Sequence, residues 1–300
     1  MSKSTIHFIG LGGDASGSGF LYTYLQAHPE ICMPKQAIHF FQDRELYAKG
    51  ADWYMAHFAS CHRGTVMGEA GSRYLETPDA VERIARTYPK AKLLAVVCNP
   101  VERVYRDYDR SKKEGSIPGS MNFSQYLEAY PHTLERGLFG KQLHTYLDLY
   151  SPVQLLILVH EDRYKGPVNY MQRVYRFLEV DDTFVPKPLR RFVTIDPDNP
   201  PPRPWYYKLA RVLFFPFWLL RLNRLFGWIW NKIQPYLRKW LSAYLPEPSS
   251  APSGPQPAPI SDELRQALNE YYAADVRVLS DLLARDLNTE WEMPHTRSDM

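Results

Sequence analysis

The sequence predicts an α/β fold: a P-loop-like parallel sheet flanked by helices, with a helical C-terminal extension. Three observations predict it. Short apolar runs alternate with helix-periodic segments, the pattern of parallel strands joined by crossover helices. KAKLLAVVCNP (90–100) and QLLILVHED (154–162) are apolar without alternation, as strands buried on both faces are. TIHFIGL (5–11) runs straight into a glycine-serine loop, GGDASGSG (12–19).

The elements follow in order. After the loop, FLYTYLQAHPEI supplies a helix with Phe20, Leu21, Tyr24 and Leu25 on one face. VERVYRDYDRSKKEG (101–115) is helical, and GLFGKQLHTYLDLY and VNYMQRVYRFLEV are helix-like on either side of the third strand. SDELRQALNEYYAADVRVLSDLLARDLNTEW (261–291) reads as a closing helix. Ser261 is its N-cap, Asp262 and Glu263 suit the helix dipole, and Leu264, Leu268, Tyr271, Tyr272 and Val276 form its apolar stripe. Two proline-rich stretches, 196–204 and 245–259, divide the chain into an α/β core (1–195), an insert (196–259) and a C-terminal helix packing back on the core (260–300).

Composition limits the function. The 300 residues are 45% apolar and 23% charged, enough for a sizeable core. A net charge of +3, from 36 basic and 33 acidic side chains, excludes nucleic acid as a partner on bulk electrostatics. Three cysteines, Cys32, Cys61 and Cys98, are an odd number without metal-type spacing, so neither a disulfide framework nor a zinc site is expected. The chain opens without a charged segment leading an apolar one, which makes the cytoplasm the default location. The insert differs from the rest. Between Arg203 and Leu245 it carries eight basic residues, no acidic one and five of the seven tryptophans. Too charged to span a bilayer, it suits contact with an anionic membrane surface, placing the protein peripherally on the inner membrane face. The alternative is a pair of amphipathic helices packed on the domain.

The first loop is the leading site candidate. Its backbone N–H groups and the following helix N-terminus converge on an anion, with Ser16, Gly17, Ser18 and Gly19 nearest to it. A plain glycine turn is the alternative. The loop is not a Walker A sequence, and Ala15 replaces the third glycine of a dinucleotide fingerprint.

Five strings carry a resemblance: IGLGGDASGSGFLYTYLQAHPEI, IHFF (38–41), GEAGSRYLETPDAVERIARTYPKAKLLAVVCNPVERVYRDY, GLFGKQLHTYLDLYSPVQLLILVHED and RFLEV. In this order they resemble the sulfotransferases that use 3'-phosphoadenosine-5'-phosphosulfate (PAPS), particularly carbohydrate-type bacterial members and the sulfotransferase domain of heparan N-deacetylase/N-sulfotransferases. The resemblance implies PAPS as sulfuryl donor, no metal, and in-line transfer to a hydroxyl or amine of a carbohydrate or glycolipid acceptor. It implies nucleotide binding by the 16–19 loop, Asn99, Arg103 and Arg106.

Departures fall where that family does its chemistry. No Lys stands at 13–15, and Asp14 is there instead. Gln36-Ala37 replace the family's usual Lys-Glu, removing its catalytic carboxylate. Cys98 and Arg106 stand where the family has an Arg and a Ser. Arg106 then supplies the cation that Cys98 lacks, unless it is a solvated helix residue. For the proton of the acceptor, His39 is the candidate base, with Glu69 a lesser one; packing beside Phe40 and Phe41 is the alternative role for His39. The competing function is a catalytically impaired protein of the same fold that binds a nucleotide, glycan or membrane surface.

Overall fold

The computed structural model describes residues 5–12, 18–71, 73–187, 189 and 260–292. The expected insert at 196–259, with its membrane-facing stretch 205–245, lies outside the described residues. Residues 5–186 and 260–292 belong to one compact unit.

In chain order the first half runs β1 (Phe8–Gly12), α1 (Ser18–Gln26), β2 (Ile31–Cys32), α2 (Arg44–Ala48), α3 (Gly50–Ala56), β3 (Val66–Ala70) and α4 (Pro78–Thr87). The centre follows with β4 (Lys92–Val97), α5 (Pro100–Lys113), α6 (Phe123–Ala129), α7 (His132–Glu135) and α8 (Phe139–Leu147). Then come β5 (Leu155–Val159), α9 (Asp162–Lys165), α10 (Pro167–Leu178), α11 (Asp262–Leu283) and α12 (Leu287–Glu290).

The five strands form one sheet in the order β2-β3-β1-β4-β5, every neighbouring pair parallel. Ile9 sits opposite both Glu69 and Leu93, and Val97 opposite Val159. Phe8, Ile9, Leu93, Ala95 and Val97 are wholly buried, as unbroken apolar strands covered on both faces must be. Parallel strands put all their carboxyl ends on one edge of the sheet. The turns after Gly12, Ala70, Val97 and Val159 therefore converge there. The register of β1 against β4 shifts between Gly10 and Gly12, and Gly12 takes φ 77°, the left-handed region open to glycine.

The α/β architecture is the one the sequence predicts, but some boundaries differ. The first helix stops at Gln26, because the HPEI turn leaves it and Ile31 enters β2. Two strands, β2 and β3, lack the long apolar run by which strands are read: one has two residues, and Gly68 and Glu69 interrupt the other. The closing helix breaks at Ala284, held left-handed at φ 48°, before α12.

α11 lies against α8 and α5. The Asp275 carboxylate accepts the N–H groups of Gly140 and Lys141, both at 2.8 Å, and Arg265 pairs with Glu102 at 2.8 Å. A Cβ at Gly140 would lie 2.6 Å from the Asp275 carbonyl oxygen, so only glycine allows this approach.

The cysteine expectation is corrected by the structure. Cys32 and Cys61 form a disulfide, and Cys98 is free and buried. The parity argument fails because one buried thiol needs no partner. Folding brings the end of β2 and the turn after α3 to a Cα–Cα distance of 5.7 Å, within bridging range, although 29 residues separate them. Closing a loop of that length restricts the unfolded chain by roughly 3 kcal/mol. Urea denaturation with and without reductant should show the reduced protein less stable by about that amount, and Cys32→Ser should remove the difference. Identical midpoints would show that the bond constrains nothing.

Candidate functional site

Sheet topology builds the site at the carboxyl edge. Residues 13–17 lie outside the described residues, so Ser16 and Gly17 are not placed. Ser18 and Gly19 form the first turn of α1. Asn99 is the N-cap of α5, its Oδ1 accepting the Val101 N–H at 2.9 Å and the Glu102 N–H at 3.3 Å. With Pro100 at the first helical position, this cap explains why Asn-Pro follows β4. The Asn99 N–H donates to Glu161 Oε1 at 3.1 Å, tying the turn after β4 to the turn after β5.

Arg106, one turn into α5, is half-buried, and its guanidinium lies 3.1 Å from Cys98 Sγ. It is a cation held at the end of β4 rather than a solvated helix residue. Burial pushes the Cys98 thiol up to about 12, with Arg106 opposing, so Cys98 is an uncharged donor or acceptor and no nucleophile.

Arg103 requires a correction. Expected at the nucleotide, it has no exposure at all. Its guanidinium donates to the Thr133 carbonyl at 3.0 Å and to Asp107 at 2.7 Å. Arg103 and Arg106 lie about 60° apart on α5, and their partners divide them: Arg103 is taken up by Asp107 and the Thr133 carbonyl, Arg106 by Cys98. Arg103 is an internal strut.

Three residues that the sequence reading passed over, at the end of a strand or just after it, join the site. His160 is 3% exposed, and burial together with the nearby Arg163 and Arg106 charges lowers its pKa to about 3, so the imidazole is neutral. Arg163 lies 5.1 Å over the Phe20 ring of α1 and 4.5 Å over the Tyr164 ring, with its guanidinium also bonded to the Tyr164 hydroxyl. Among the described residues, Arg106 Nε, Arg163 Nε and His160 Nδ1 are buried without a hydrogen-bond partner. Arg163 stands beside Phe20 in the first turn of α1, and both Arg163 and Arg106 act on the neutral His160, so two cations gather around one uncharged imidazole at this edge. The signal for it was legible: polar residues directly after an unbroken apolar strand mark the carboxyl edge.

His39 holds φ 61°, a strained backbone for a residue with a Cβ. Its neighbours Phe40 and Phe41 are buried in an aromatic cluster with Tyr54, and Phe41 also meets Tyr74. Lys35 is exposed. Glu69, at the end of β3, is 1% exposed and accepts the Tyr74 hydroxyl at 2.6 Å. Burial raises its pKa to about 7, and bonds from Tyr74, Tyr54 and the Ile38 backbone pull the other way.

A separate cavity of about 340 Å³ opens between the turn after β3, α7 and α8. Arg73, His132, Arg136 and Lys141 line it, with Glu76 and Glu135. Arg136 pairs with Glu76 at 3.2 Å. The wall mixes acceptors with an excess of cations, as a hydroxylated, anionic ligand requires.

The family model described as Sulfotransferase domain matches residues 8–194. The chain belongs to the sulfotransferase family. Human bifunctional heparan sulfate N-deacetylase/N-sulfotransferase 3 is 28% identical over 194 residues, covering 58% of this chain and 22% of the human protein. Heparan sulfate glucosamine 3-O-sulfotransferase 5 of Mus musculus is 27% identical over 229 residues, 72% of this chain and 60% of the mouse protein. The chain thus spans about a fifth of the first relative's length and three fifths of the second's. The crystal structure of a sulfotransferase from Alicyclobacillus acidocaldarius superposes with a TM-score of 0.65 at 20% identity, covering 96% of this chain and 99% of that one, which shows the shared sulfotransferase fold.

The raised Glu69 pKa has a stability consequence. A carboxyl whose folded-state pKa lies above its unfolded value stabilises the fold fully below pH 4.5, and the contribution is lost as pH rises through about 7. The difference amounts to roughly 3 kcal/mol. Glu69→Gln should flatten that part of the stability profile, measured as urea midpoints against pH. Parallel profiles in wild type and variant would show that Glu69 titrates as an ordinary carboxylate.

Proposed function

We propose that this sulfotransferase moves a sulfuryl group from PAPS to a hydroxyl or amine of a carbohydrate acceptor. The observation that carries the reading is the pair Arg106 and Arg163 around the neutral His160, with Arg163 against Phe20 of α1. They supply two fixed cations where this chain lacks the family's usual Arg before Asn-Pro. PAPS, when bound, supplies the activated sulfuryl group and leaves as 3'-phosphoadenosine-5'-phosphate. The residues present fit its phosphates: the Arg106 and Arg163 guanidiniums each keep a buried Nε without a partner, and the neutral His160 adds no competing charge.

The residues divide the remaining work. The α1 turn and the two arginines bind and orient the nucleotide. His39 accepts the proton that the acceptor hydroxyl or amine loses as its oxygen or nitrogen bonds to sulfur. The bridging S–O bond breaks, and its electron pair leaves on the nucleotide phosphate. The cation-lined cavity at Arg73, Arg136 and Lys141 supports an anionic glycan as acceptor, as do the heparan sulfate names of the relatives.

A second reading is favoured by Ala37 and by Asp14: a scaffold that binds nucleotide or glycan without turnover. Location also belongs among the proposals. Among the described residues no helix is long and apolar enough to cross a membrane. The Cys32–Cys61 bond supports an oxidising compartment over the cytoplasmic default, since disulfides rarely persist in a reducing one. Contact of 205–245 with an anionic membrane, and a glycolipid acceptor with it, rest on the charge and tryptophan pattern alone.

Calorimetry with 3'-phosphoadenosine-5'-phosphate tests the nucleotide site. Wild type should bind, and Arg106→Ala and Arg163→Ala should each weaken binding by ~1.5–3 kcal/mol, the worth of one charge-assisted contact. An absence of binding by the wild type would sink both readings. Binding without transfer to any of a panel of glycans would favour the scaffold.

A further inference from the structure

The turn carrying His39 is held from beneath. Asp43 N–H donates to the His39 carbonyl at 3.2 Å, Arg83 donates to the Phe41 carbonyl at 2.9 Å, and the Phe41 N–H reaches the Tyr74 hydroxyl at 3.4 Å. That hydroxyl donates in turn to Glu69 at 2.6 Å, and the Ile38 backbone serves the same carboxyl. Glu69 therefore lies near the residue before His39, whose backbone favours its ionised form, and reaches the second residue after it through one tyrosine. Such a brace explains how a non-glycine residue is kept at φ 61°, because strained backbone persists only where its surroundings over-determine it.

We propose that Glu69 is a positioning residue for His39: its buried carboxyl, acting on Ile38 directly and on Phe41 through Tyr74, sets the left-handed turn from which the imidazole works. Glu69 is 1% exposed, so it does not touch substrate. The groups facing it are the hydroxyls of Tyr74, of Tyr54 from α3 and of Tyr88 at the end of α4, with the Ile38 backbone. All are neutral. A negative charge arriving on Glu69 is met only by dipoles, which must reorient towards it. The hydrogen bonds to Ile38 and Tyr74 strengthen when it ionises, and the turn tightens. This makes the geometry at His39 follow the protonation of a residue that never meets the acceptor. The step to catalysis rests on the proposed sulfuryl transfer; the coupling itself does not.

The experiment reads the two apart. Backbone amide resonances of Ile38, His39 and Phe41 are followed by NMR on the full chain from about pH 5 to about pH 9, in wild type, Glu69→Gln and Tyr74→Phe. The wild-type amides should show an inflection near pH 7, where the buried carboxyl ionises. It should vanish in Glu69→Gln, and in Tyr74→Phe it should be lost at Phe41 while surviving at Ile38. In a transfer assay with PAPS and a glycan acceptor, Tyr74→Phe should lower kcat about a hundredfold with the KM for PAPS unchanged. Glu69→Gln, which still accepts from Tyr74 but never ionises, should hold at every pH the rate that wild type shows when Glu69 is protonated, and so lose the pH dependence. Amides at 38–41 that titrate identically in all three proteins would overturn the proposal. If Glu69→Gln fails to fold, persistence of the Phe41 inflection in Tyr74→Phe overturns it alone. A wild type that transfers nothing removes the sulfuryl-transfer reading, and the amide titration still decides the coupling.

Discussion

Arg103 carries a full positive charge into a place without water, and much of the central architecture is arranged to receive it. Asp107 lies one helical turn away at 2.7 Å, and the Thr133 carbonyl stands at the start of α7. Asp107 also accepts from Arg110 at 2.8 Å and lies 3.8 Å from Arg136. Arg136 then reaches Glu76, in the turn after β3. One buried carboxylate and one buried guanidinium thereby fix α5, α7 and the β3–α4 connection in a single frame. Removing one member of such a pair costs about 3–5 kcal/mol, because the other charge is stranded. The frame also borders the cavity lined by Arg73, Arg136 and Lys141, where Arg136 is held against Glu76.

The same helix that buries Arg103 holds Arg106 against Cys98 at the end of β4, so neighbouring positions of α5 meet different partners. Its N-terminus is capped by Asn99, whose own N–H is taken up by Glu161. This couples the turns after β4 and β5, the two that carry Arg106 and Arg163. Bringing two guanidiniums close to one imidazole would be self-defeating if that imidazole were charged. Burial resolves the conflict by keeping His160 neutral, which leaves both cations available to an anion. Cys98 fits the arrangement for the same reason. A neutral thiol at the end of β4 leaves room for the Arg106 guanidinium, where an arginine at 98 would repel it.

Much of this was legible in the sequence, and the limits are physical. The buried strands β1, β4 and β5 announce themselves because burial on both faces demands unbroken apolar runs. β2 and β3 do not, since a two-residue edge strand has no period and Glu69 interrupts the other. Asn99 and Arg106 entered through the resemblance, and the fold uses the one as the cap of α5 and sets the other against Cys98. Arg103 was misread, because Asn-Pro-x-Glu-Arg gives spacing but not the partners, Asp107 and the Thr133 carbonyl, that take up its guanidinium. His160 and Glu161 were absorbed into a strand that ends just before them, and Arg163 stands in the short helix that follows. The Cys32–Cys61 bond was invisible because its partners meet only through the sheet.

The loop bearing His39 shows how a departure from family chemistry and retained structure can coexist. Ala37 removes a carboxylate from the sequence at that loop, yet the loop is not slack. The Cys32–Cys61 bond closes the chain around it, and Phe40 and Phe41 anchor it in an aromatic cluster. Arg83, Tyr74 and Glu69 hold its backbone from beneath. A left-handed His39 costs of order 1–3 kcal/mol, and an unconstrained chain would relax to a commoner conformation. The surrounding contacts are what prevent this. A carboxylate missing from the loop at position 37 contrasts with one buried under it, where Glu69 is tied to Phe41 through Tyr74. The chemistry lost at position 37 and the geometry kept at position 39 are therefore separable, and the geometry is the part to which the fold commits its buried charge.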